Sequence, residues 1–193
     1  MKLRLFNVFV ILLITIVVPV SALDGWTQSG TLLGGSSNIY PSQIHENTLY
    51  AGSFEGFYVS TNEGLTWEKR VNGDFKRIRP SNSNPEIIAC GSNDQFFRIS
   101  EDQGLTWLNF DNPLGSPMHC ESICFHPNNP HKVYFGTSNG IFMIQKSADQ
   151  WQEPVMLNTH AWKAYSYHDL FMYPDDENHL YACSPDHGIV TLE

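Results

Sequence analysis

Three acidic residues stand at matched positions ahead of recurring prolines, and they are the clearest candidates for acid/base chemistry in this sequence. Asp74 and Glu121 each come six residues before a proline, and Asp169 comes five residues before one. Two carboxylates that face each other across a cleft can divide the roles of general acid and general base between them. The alternative interpretation is that all three are solvated residues at strand ends, where acidic side chains are ordinarily found.

Aromatic residues make up a second candidate group. They lie in residues 160 to 168, the longest irregular stretch of the chain, at Trp162, Tyr165 and Tyr167, with His168 next to them. Aromatic rings can stack on sugar rings or pack against the surface of a protein partner, so these four residues are a candidate binding patch. The alternative is that the segment caps the joint between two structural repeats.

Metal and thiol chemistry receive little support from the sequence. The four cysteines are Cys90, Cys120, Cys124 and Cys183. In an exported chain they permit disulfides with three full pairings, and inert buried thiols are the alternative. The interval between Cys120 and Cys124 is not a zinc-knuckle spacing, and the eight histidines are scattered singly. We therefore expect no metal site and no cofactor.

The amino terminus has the form of an export signal. A basic start is followed by an apolar run from Leu5 to Val20 and by the small residues of a cleavage site, which predicts a signal peptide over residues 1–22 and a mature domain over residues 23–193. The run is shorter than a membrane-spanning helix needs, so we expect a secreted, periplasmic or extracellular protein with no membrane insertion after cleavage.

Charge and composition narrow the class further. Loss of Lys2 and Arg4 with the signal peptide changes the net charge from −9 to −11, which disfavours nucleic acid and anionic membranes as partners. Charged residues are only 16% of the chain, whereas aromatic residues are 13% and glycine and proline are frequent. This profile is typical of many short strands joined by tight turns.

The elements that must position the candidate residues follow from an internal repeat. A short turn unit, which we call the box, occurs three times. It comprises Ser60, Asn62, Gly64, Thr66 and Trp67; then Ser100, Asp102, Gly104, Thr106 and Trp107; and an eroded copy with Ser147, Asp149 and Trp151. The first two copies are 40 residues apart. Such a period indicates a repeat architecture.

Each box is preceded by a β-hairpin pattern, and each hairpin by a strand that ends in proline. The prolines are Pro41, Pro80, Pro127 and Pro174. With the strand that begins at the box tryptophan, each repeat supplies four antiparallel strands. The sequence therefore predicts an all-β protein, a β-propeller of about four four-stranded blades.

The box has a mechanical explanation. The Asp or Asn side chain accepts hydrogen bonds from the N–H groups of the turn, and the glycine takes the positive φ that the turn demands. The tryptophan ring is expected to fold over its own hairpin and bury its apolar face. Binding of calcium or catalysis by these acids is the less favoured interpretation.

These residues resemble the Asp-box (BNR) repeat, Ser-x-Asp-x-Gly-x-Thr-Trp, which occurs in propellers of sialidases, sortilin, xyloglucanase-type glycosidases and photosystem II assembly factors. The resemblance is complete at residues 100 to 107, has Asn62 in place of Asp, and is eroded at residues 147 to 151. It implies a propeller fold rather than one function. If it extends to the glycosidases, Glu121 and Asp169 are the candidate acid/base pair.

The fourth repeat ends without an outer strand of its own. Residues 24 to 33 resemble the tail of a box followed by a strand, which predicts that the amino-terminal strand completes the last blade and closes a four-bladed ring. The competing interpretation is a piece of a larger propeller with open edges. The leading functional hypothesis is a non-catalytic binding or assembly module for a protein or glycan partner, and the alternative is a glycoside hydrolase or a fragment of one.

Overall fold

The structure is a computed structural model that describes residues 36–93, 96–115, 118–157 and 165–193. The predicted signal peptide at 1–22, the predicted closing strand at 24 to 33 and Trp162 lie outside the described residues. Every regular element in the described ranges is a β-strand, which confirms the all-β prediction. Among these residues there is no helix with the length and apolar character required to cross a bilayer.

In the described ranges, sixteen strands form four antiparallel sheets that follow one another along the chain. The first sheet contains β1 (Ser36–Pro41), β2 (Leu49–Ser53), β3 (Gly56–Ser60) and β4 (Glu68–Asn72), and the second contains β5 (Arg77–Pro80), β6 (Ile88–Gly91), β7 (Phe96–Ser100) and β8 (Leu108–Asp111). The third contains β9 (Cys120–His126), β10 (Asn129–Thr137), β11 (Gly140–Ser147), β12 (Gln150–Trp151) and β13 (Val155–Met156), and the fourth contains β14 (Asp169–Phe171), β15 (Leu180–Ser184) and β16 (Gly188–Leu192).

The first two sheets have the four-stranded order expected from the repeat. Their strands pair in sequence order, their first strands end at Pro41 and Pro80, and their third strands end at the box residues Ser60 and Ser100. Proline closes these first strands because it has no N–H to donate to the ladder.

The third sheet departs from the predicted pattern at its eroded box. Ser147 pairs with Gln150 across a two-residue turn in which Ala148 and Asp149 have φ values of 49° and 60°. Two positive φ values in succession are typical of a tight hairpin turn, so losing the box glycine and threonine replaced the longer turn with a shorter one. The outer strand is consequently split, and its second part, β13, pairs with β11 through Phe142 and Met143.

The hydrophobic core is divided among the three joints between neighbouring sheets. One cluster, which includes Phe57 and Ile88, lies between the first and second sheets. A second, which includes Phe97 and Phe135, lies between the second and third sheets. A third, which includes Tyr134, lies between the third and fourth sheets. Because side chains alternate across each strand, every inner sheet contributes one face to each of its two neighbours.

The last glycine of the second strand sets how closely the next sheet approaches. A Cβ on Gly52 would collide with the backbone carbonyl of Phe75, and one on Gly91 would collide with the side chain of Cys120. In both places the chain entering the next sheet passes directly over the glycine. These positions therefore require glycine for close approach rather than for an unusual φ.

The fourth sheet has three strands within the described residues, and its outer face is open. Ile189 on this face is 78% exposed, and Ile39 on the outer face of the first sheet is 53% exposed. These two side chains therefore do not pack against each other, and the closed ring that the sequence predicts is not detected among the described residues. The prediction that residues 24 to 33 add a fourth strand lies outside the described residues.

Candidate functional site

The first strands of all four sheets contribute to one small polar cavity. Its volume is about 90 Å³, and it is lined by residues that include Asn38 on β1, Arg77 on β5, Glu121 and Ser122 on β9, and His168 and Asp169 at the start of β14. We call it the inner-strand cavity. β1 packs on β5, β5 on β9 and β9 on β14, so residues that are far apart in sequence line the same space.

Two arginines on β5 line the cavity and connect the second sheet to its neighbours. Arg77 Nη2 lies 3.5 Å from Glu121 Oε2 in an ion pair that links the second and third sheets. Arg79 Nε donates to the Ile123 carbonyl at 3.3 Å, and its guanidinium carbon lies 5.0 Å from the centroid of the Tyr40 ring. Arginine suits this position because its planar fork can bond to an oxygen while its face lies on an aromatic ring.

Three buried polar atoms in the cavity lining have no hydrogen-bond partner within the described part of the chain: Asn38 Oδ1, Arg77 Nε and Ser122 Oγ. Ser122 is only 9% exposed. Leaving a buried polar atom unpaired costs about 1–3 kcal/mol, so the site is suited to a guest, water or ligand, that supplies the missing bonds. The set contains one acceptor, one donor and one hydroxyl that can act as either.

The three acidic residues predicted as candidates from the sequence lie in two different places. Glu121 and Asp169 line the same cavity, with Glu121 ion-paired to Arg77 and Asp169 exposed. Asp74 instead organises a loop, because its carboxylate accepts from the backbone N–H of Lys76 at 3.0 Å and of Asn93 at 2.9 Å. The structure therefore brings together the pair named as acid/base candidates and places Asp74 elsewhere.

The aromatic segment is only partly available for binding. Tyr167 is 1% exposed and belongs to the cluster between the third and fourth sheets, so its ring cannot stack on a ligand. Tyr165 is half-buried beside His187, with ring centroids 4.1 Å apart. His168 is exposed and lines the inner-strand cavity. Tyr167 thus packs in the joint between the third and fourth sheets, whereas binding by Tyr165 and His168 stays a prediction.

The second box shows the hydrogen bonds of its turn in full. Ser100 donates to Asp102 Oδ1 at 2.7 Å, and the N–H of Gly104 donates to Ser100 Oγ at 2.7 Å. Asp102 also accepts from the Thr106 N–H at 2.8 Å and from the Thr106 hydroxyl at 2.6 Å. Burial alone would raise the pKa of Asp102, but these hydrogen bonds outweigh it and lower the pKa.

The first box repeats this turn without a carboxylate. The Gly64 N–H donates to Ser60 Oγ at 2.8 Å, and the Thr66 N–H donates to Asn62 Oδ1 at 2.9 Å. Here Asn62 Nδ2 donates to the Thr66 hydroxyl, so that bond runs in the opposite sense from the one in the second box. Gly64 and Gly104 have nearly equal φ values of 85° and 84°. The serine, threonine and Asp or Asn side chains of both boxes are thus engaged in holding their own turns.

Thiols and metal ligands do not add to the site. All four cysteines are free, and Cys90 and Cys120 are fully enclosed in the core. Burial raises the pKa of Cys120 to about 12 and that of Cys124 to about 11. No group of three or more His, Cys, Asp or Glu side chains in the described ranges is arranged to hold a metal ion.

Several solved structures share the arrangement of these sheets. An ancestral GH74 enzyme matches with a TM-score of 0.60 at 16% identity, over 86% of this chain and 27% of its own. The GH74 enzyme of Niastella koreensis matches with a TM-score of 0.59 at 17% identity, over 82% and 28%. The β-propeller domain of Cps50 (Swd1) from Myceliophteria thermophila matches with a TM-score of 0.58 at 14% identity, over 81% and 53%. The fold is of the β-propeller type.

The four described sheets correspond to blades of these propellers, and they are called blades one to four in chain order. No protein-family model matches the sequence, and no curated protein matches it. The chain spans about a quarter of the two GH74 enzymes and about half of the propeller domain. At these identities the likeness concerns the fold.

Sequence reasoning missed Asn38, Arg77 and Ser122 as members of the site. A signal was present, because Asn38 and Arg77 each stand three residues before the proline that ends their strand. A polar residue at a repeated position inside a strand indicates a shared polar surface. That signal could not show that the two side chains line the same cavity, because the angle between neighbouring blades determines which side chains come together.

Proposed function

We propose that this protein is an exported, non-catalytic propeller module that binds a glycan through the inner-strand cavity. The observation that carries the proposal is the unpaired set of Asn38 Oδ1, Arg77 Nε and Ser122 Oγ in one cavity. Sugar hydroxyls both donate and accept hydrogen bonds, so one hydroxyl-bearing edge can satisfy a mixed set of donors and acceptors. The GH74 neighbours are compatible with a glycan-related propeller.

The size of the cavity supports binding at the end of a glycan. A volume of about 90 Å³ is large enough for several water molecules. Ligand pockets that enclose small molecules usually measure about 300–1,000 Å³. The cavity therefore accepts a few hydroxyl groups, while the exposed Asp169 and His168 at its rim contact the rest of the ligand.

The alternative function is glycoside hydrolysis by Glu121 and Asp169, and the observation that favours it is that both carboxylates line one cavity. That reaction places the scissile bond between the two carboxyl groups, one of which must donate a proton. Glu121 is instead engaged by Arg77. The cavity is also smaller than the pockets of about 300–1,000 Å³ that usually enclose small molecules, which favours binding without cleavage.

The test is titration calorimetry with a panel of oligosaccharides, combined with an assay for released sugar. We expect the intact protein to bind at least one oligosaccharide without releasing product, and Asn38→Ala and Asp169→Asn to weaken binding at least tenfold. Asp175→Asn is the matched control, because Asp175 is an exposed carboxylate just beyond β14 and outside the cavity lining. Failure to bind any oligosaccharide would reject the glycan proposal. Product release that both Glu121→Gln and Asp169→Asn abolish would establish the hydrolase instead.

Export and blade completion are part of the same proposal. The signal peptide at 1–22 directs the chain out of the cytoplasm, and residues 24 to 33 pair with the outer edge of β16 as the fourth strand of blade four. A glycan ligand outside the cell also fits an acidic protein that binds neither nucleic acid nor membranes. Amino-terminal sequencing of the exported protein should begin at Leu23, and deleting residues 24 to 33 should lower the free energy of unfolding.

A further inference from the structure

A second groove lies beside the inner-strand cavity, on the outer face of blade four. We call it the aromatic groove; its volume is about 270 Å³, and its lining includes Asp169, Phe171, Tyr173, Tyr181 and Cys183. Asp169 also lines the inner-strand cavity. One carboxylate therefore borders both spaces, so a ligand that occupies the cavity and extends past Asp169 enters the groove.

Strand pairing places the lining residues on one face of the sheet. Asp169, Phe171 and Tyr173 alternate along β14 and just beyond it, and side chains two residues apart point to the same face. Asp169 pairs with Cys183, and Phe171 pairs with Tyr181 on β15. At about 3.3 Å per residue, the row from Asp169 to Tyr173 extends about 13 Å from the cavity.

The three aromatic rings of the groove form a corner. The Tyr173 ring stands nearly perpendicular to the Phe171 ring, at 87° with 4.8 Å between centroids, and to the Tyr181 ring, at 88° and 5.6 Å. Phe171 and Tyr173 are 48% and 54% exposed. Aromatic surface is therefore accessible to a ligand along the row that starts at Asp169.

This aromatic pair distinguishes blade four from the other blades. The residues three positions and one position before the strand-ending proline are Asn38 and Tyr40 in blade one, Arg77 and Arg79 in blade two, Cys124 and His126 in blade three, and Phe171 and Tyr173 in blade four. Tyr40 lies against Arg79 of the following blade, and Arg77 pairs with Glu121 of the following blade. Blade four has two exposed rings where the earlier blades have residues that join one blade to the next.

Aromatic surface beside a carboxylate suits a neutral sugar. When the hydroxyls of a pyranose are equatorial, both faces of its ring carry C–H groups, which are apolar and pack against the negative face of an aromatic ring. The hydroxyls project from the ring edge, where Asp169 can accept hydrogen bonds from them. The same carboxylate disfavours an acidic sugar, because like charges repel.

We propose that the aromatic groove is a second subsite for the glycan bound in the inner-strand cavity, and that it takes β-1,4-linked sugars of the glucose configuration. This inference rests on the proposed function, which assigns the cavity to one end of a glycan. Asp169 bonds to hydroxyls at the junction, and Phe171 and Tyr173 stack on the sugars that follow. Equatorial linkages keep such a glycan extended, as the row from Asp169 to Tyr173 requires.

The first experiment is titration calorimetry with cellobiose and cellopentaose, which share one sugar and one linkage at two lengths. The wild-type protein should bind cellopentaose about tenfold more tightly, because the longer chain adds ring contacts. In Tyr173→Ala this advantage should be lost, with an unchanged circular dichroism spectrum. Phe54→Ala is the matched control, because Phe54 is 52% exposed and lies between β2 and β3, outside the groove; it should keep the advantage.

The outcomes separate this inference from the proposed function. If no oligosaccharide binds, both fail. If other oligosaccharides bind but cello-oligosaccharides do not, or if cellopentaose has no advantage, or if Tyr173→Ala keeps it, the groove is not this subsite while the glycan-binding cavity stands. A doubled mass in light scattering that Tyr173→Asp reduces to the mass of one chain would assign the groove to a second copy and overturn the inference.

The second experiment uses Cys183, which lies opposite Asp169 in the groove. Cellopentaose at saturation should slow alkylation of Cys183 by iodoacetamide at least fivefold, because the bound chain covers the thiol. Maltopentaose at the same concentration is the control, since it has the same sugar and length but an axial linkage that curves the chain; it should leave the rate unchanged. Equal rates with the two pentaoses would overturn the inference.

Discussion

The ring of Trp107 lies 5.3 Å from the ring of Phe57, centroid to centroid, at an interplanar angle of 71°. Trp107 follows the box of blade two, whereas Phe57 is on β3 of blade one. The Trp107 ring also lies 5.0 Å from Phe75, which precedes blade two. The Trp107 indole N–H also donates to the Gly104 carbonyl of its own turn at 3.2 Å, so the ring contacts its own hairpin and joins its blade to the previous one.

Removing this ring should destabilise the joint between blades one and two. We expect Trp107→Ala to lower the free energy of unfolding by about 3 kcal/mol, the low end for loss of a large aromatic side chain because the ring is partly exposed. Denaturant unfolding measures the change. Leu105→Ala, an exposed apolar residue two positions earlier, should change stability by less than about 0.5 kcal/mol. Equal effects of the two substitutions would contradict the assigned role of Trp107.

Much of the fold could be predicted because it depends on local signals. Turn residues, strand-ending prolines and alternating apolar residues mark each strand from Ser36 onward. The partner of Trp107 could not be predicted, since it depends on the angle between blades. The split outer strand of blade three was missed for another reason: the erosion of its box near Asp149 produced a different turn, which the repeat alone does not reveal.

Gly52 should be intolerant of any side chain. A Cβ there would meet the carbonyl oxygen of Phe75, which is backbone and cannot rotate away. We expect Gly52→Ala to cost about 3 kcal/mol through overpacking between blades one and two. Gly115→Ala is the control, because nothing lies within 4 Å of its Cβ position and only its φ of 61° opposes the substitution; it should cost about 1 kcal/mol. A smaller loss at Gly52 than at Gly115 would refute the packing argument.

The second box should make stability depend on acidic pH. The folded-state pKa of Asp102 is lowered, so its stabilising contribution is present above the ordinary carboxyl pKa and is lost as pH falls through the lower folded value. Asp102→Asn removes this titration, so its stability difference from the wild type should shrink between pH 5 and pH 2. Asn62→Asp should introduce the same acid dependence into the first box. Parallel pH profiles for wild type and Asp102→Asn would contradict this prediction.

The candidate site was less predictable than the fold. Glu121 and Asp169 could be named because acids at matched repeat positions are visible in sequence. The ion pair between Arg77 and Glu121 could not, because it crosses from blade two to blade three. Tyr167 was named for the aromatic character of its segment, yet its ring is buried, and composition alone does not distinguish a ring that stacks on a ligand from one that packs in a core.

Thiol labelling should separate Cys183 from the other cysteines. The reactive form of cysteine is the thiolate, and burial raises the pKa of Cys90, Cys120 and Cys124, so these thiols stay protonated and shielded at pH 8. Cys183 is exposed on the outer face of the fourth sheet. Brief treatment with iodoacetamide at pH 8, followed by peptide mass spectrometry, should modify Cys183 and leave the other three cysteines unmodified.

The unfolded protein supplies the control for this labelling. In 6 M guanidinium chloride all four thiols should react, because unfolding removes the burial that protects three of them. Fast modification of Cys90 or Cys120 in the folded protein would contradict their burial, and an unmodified Cys183 would contradict its exposure.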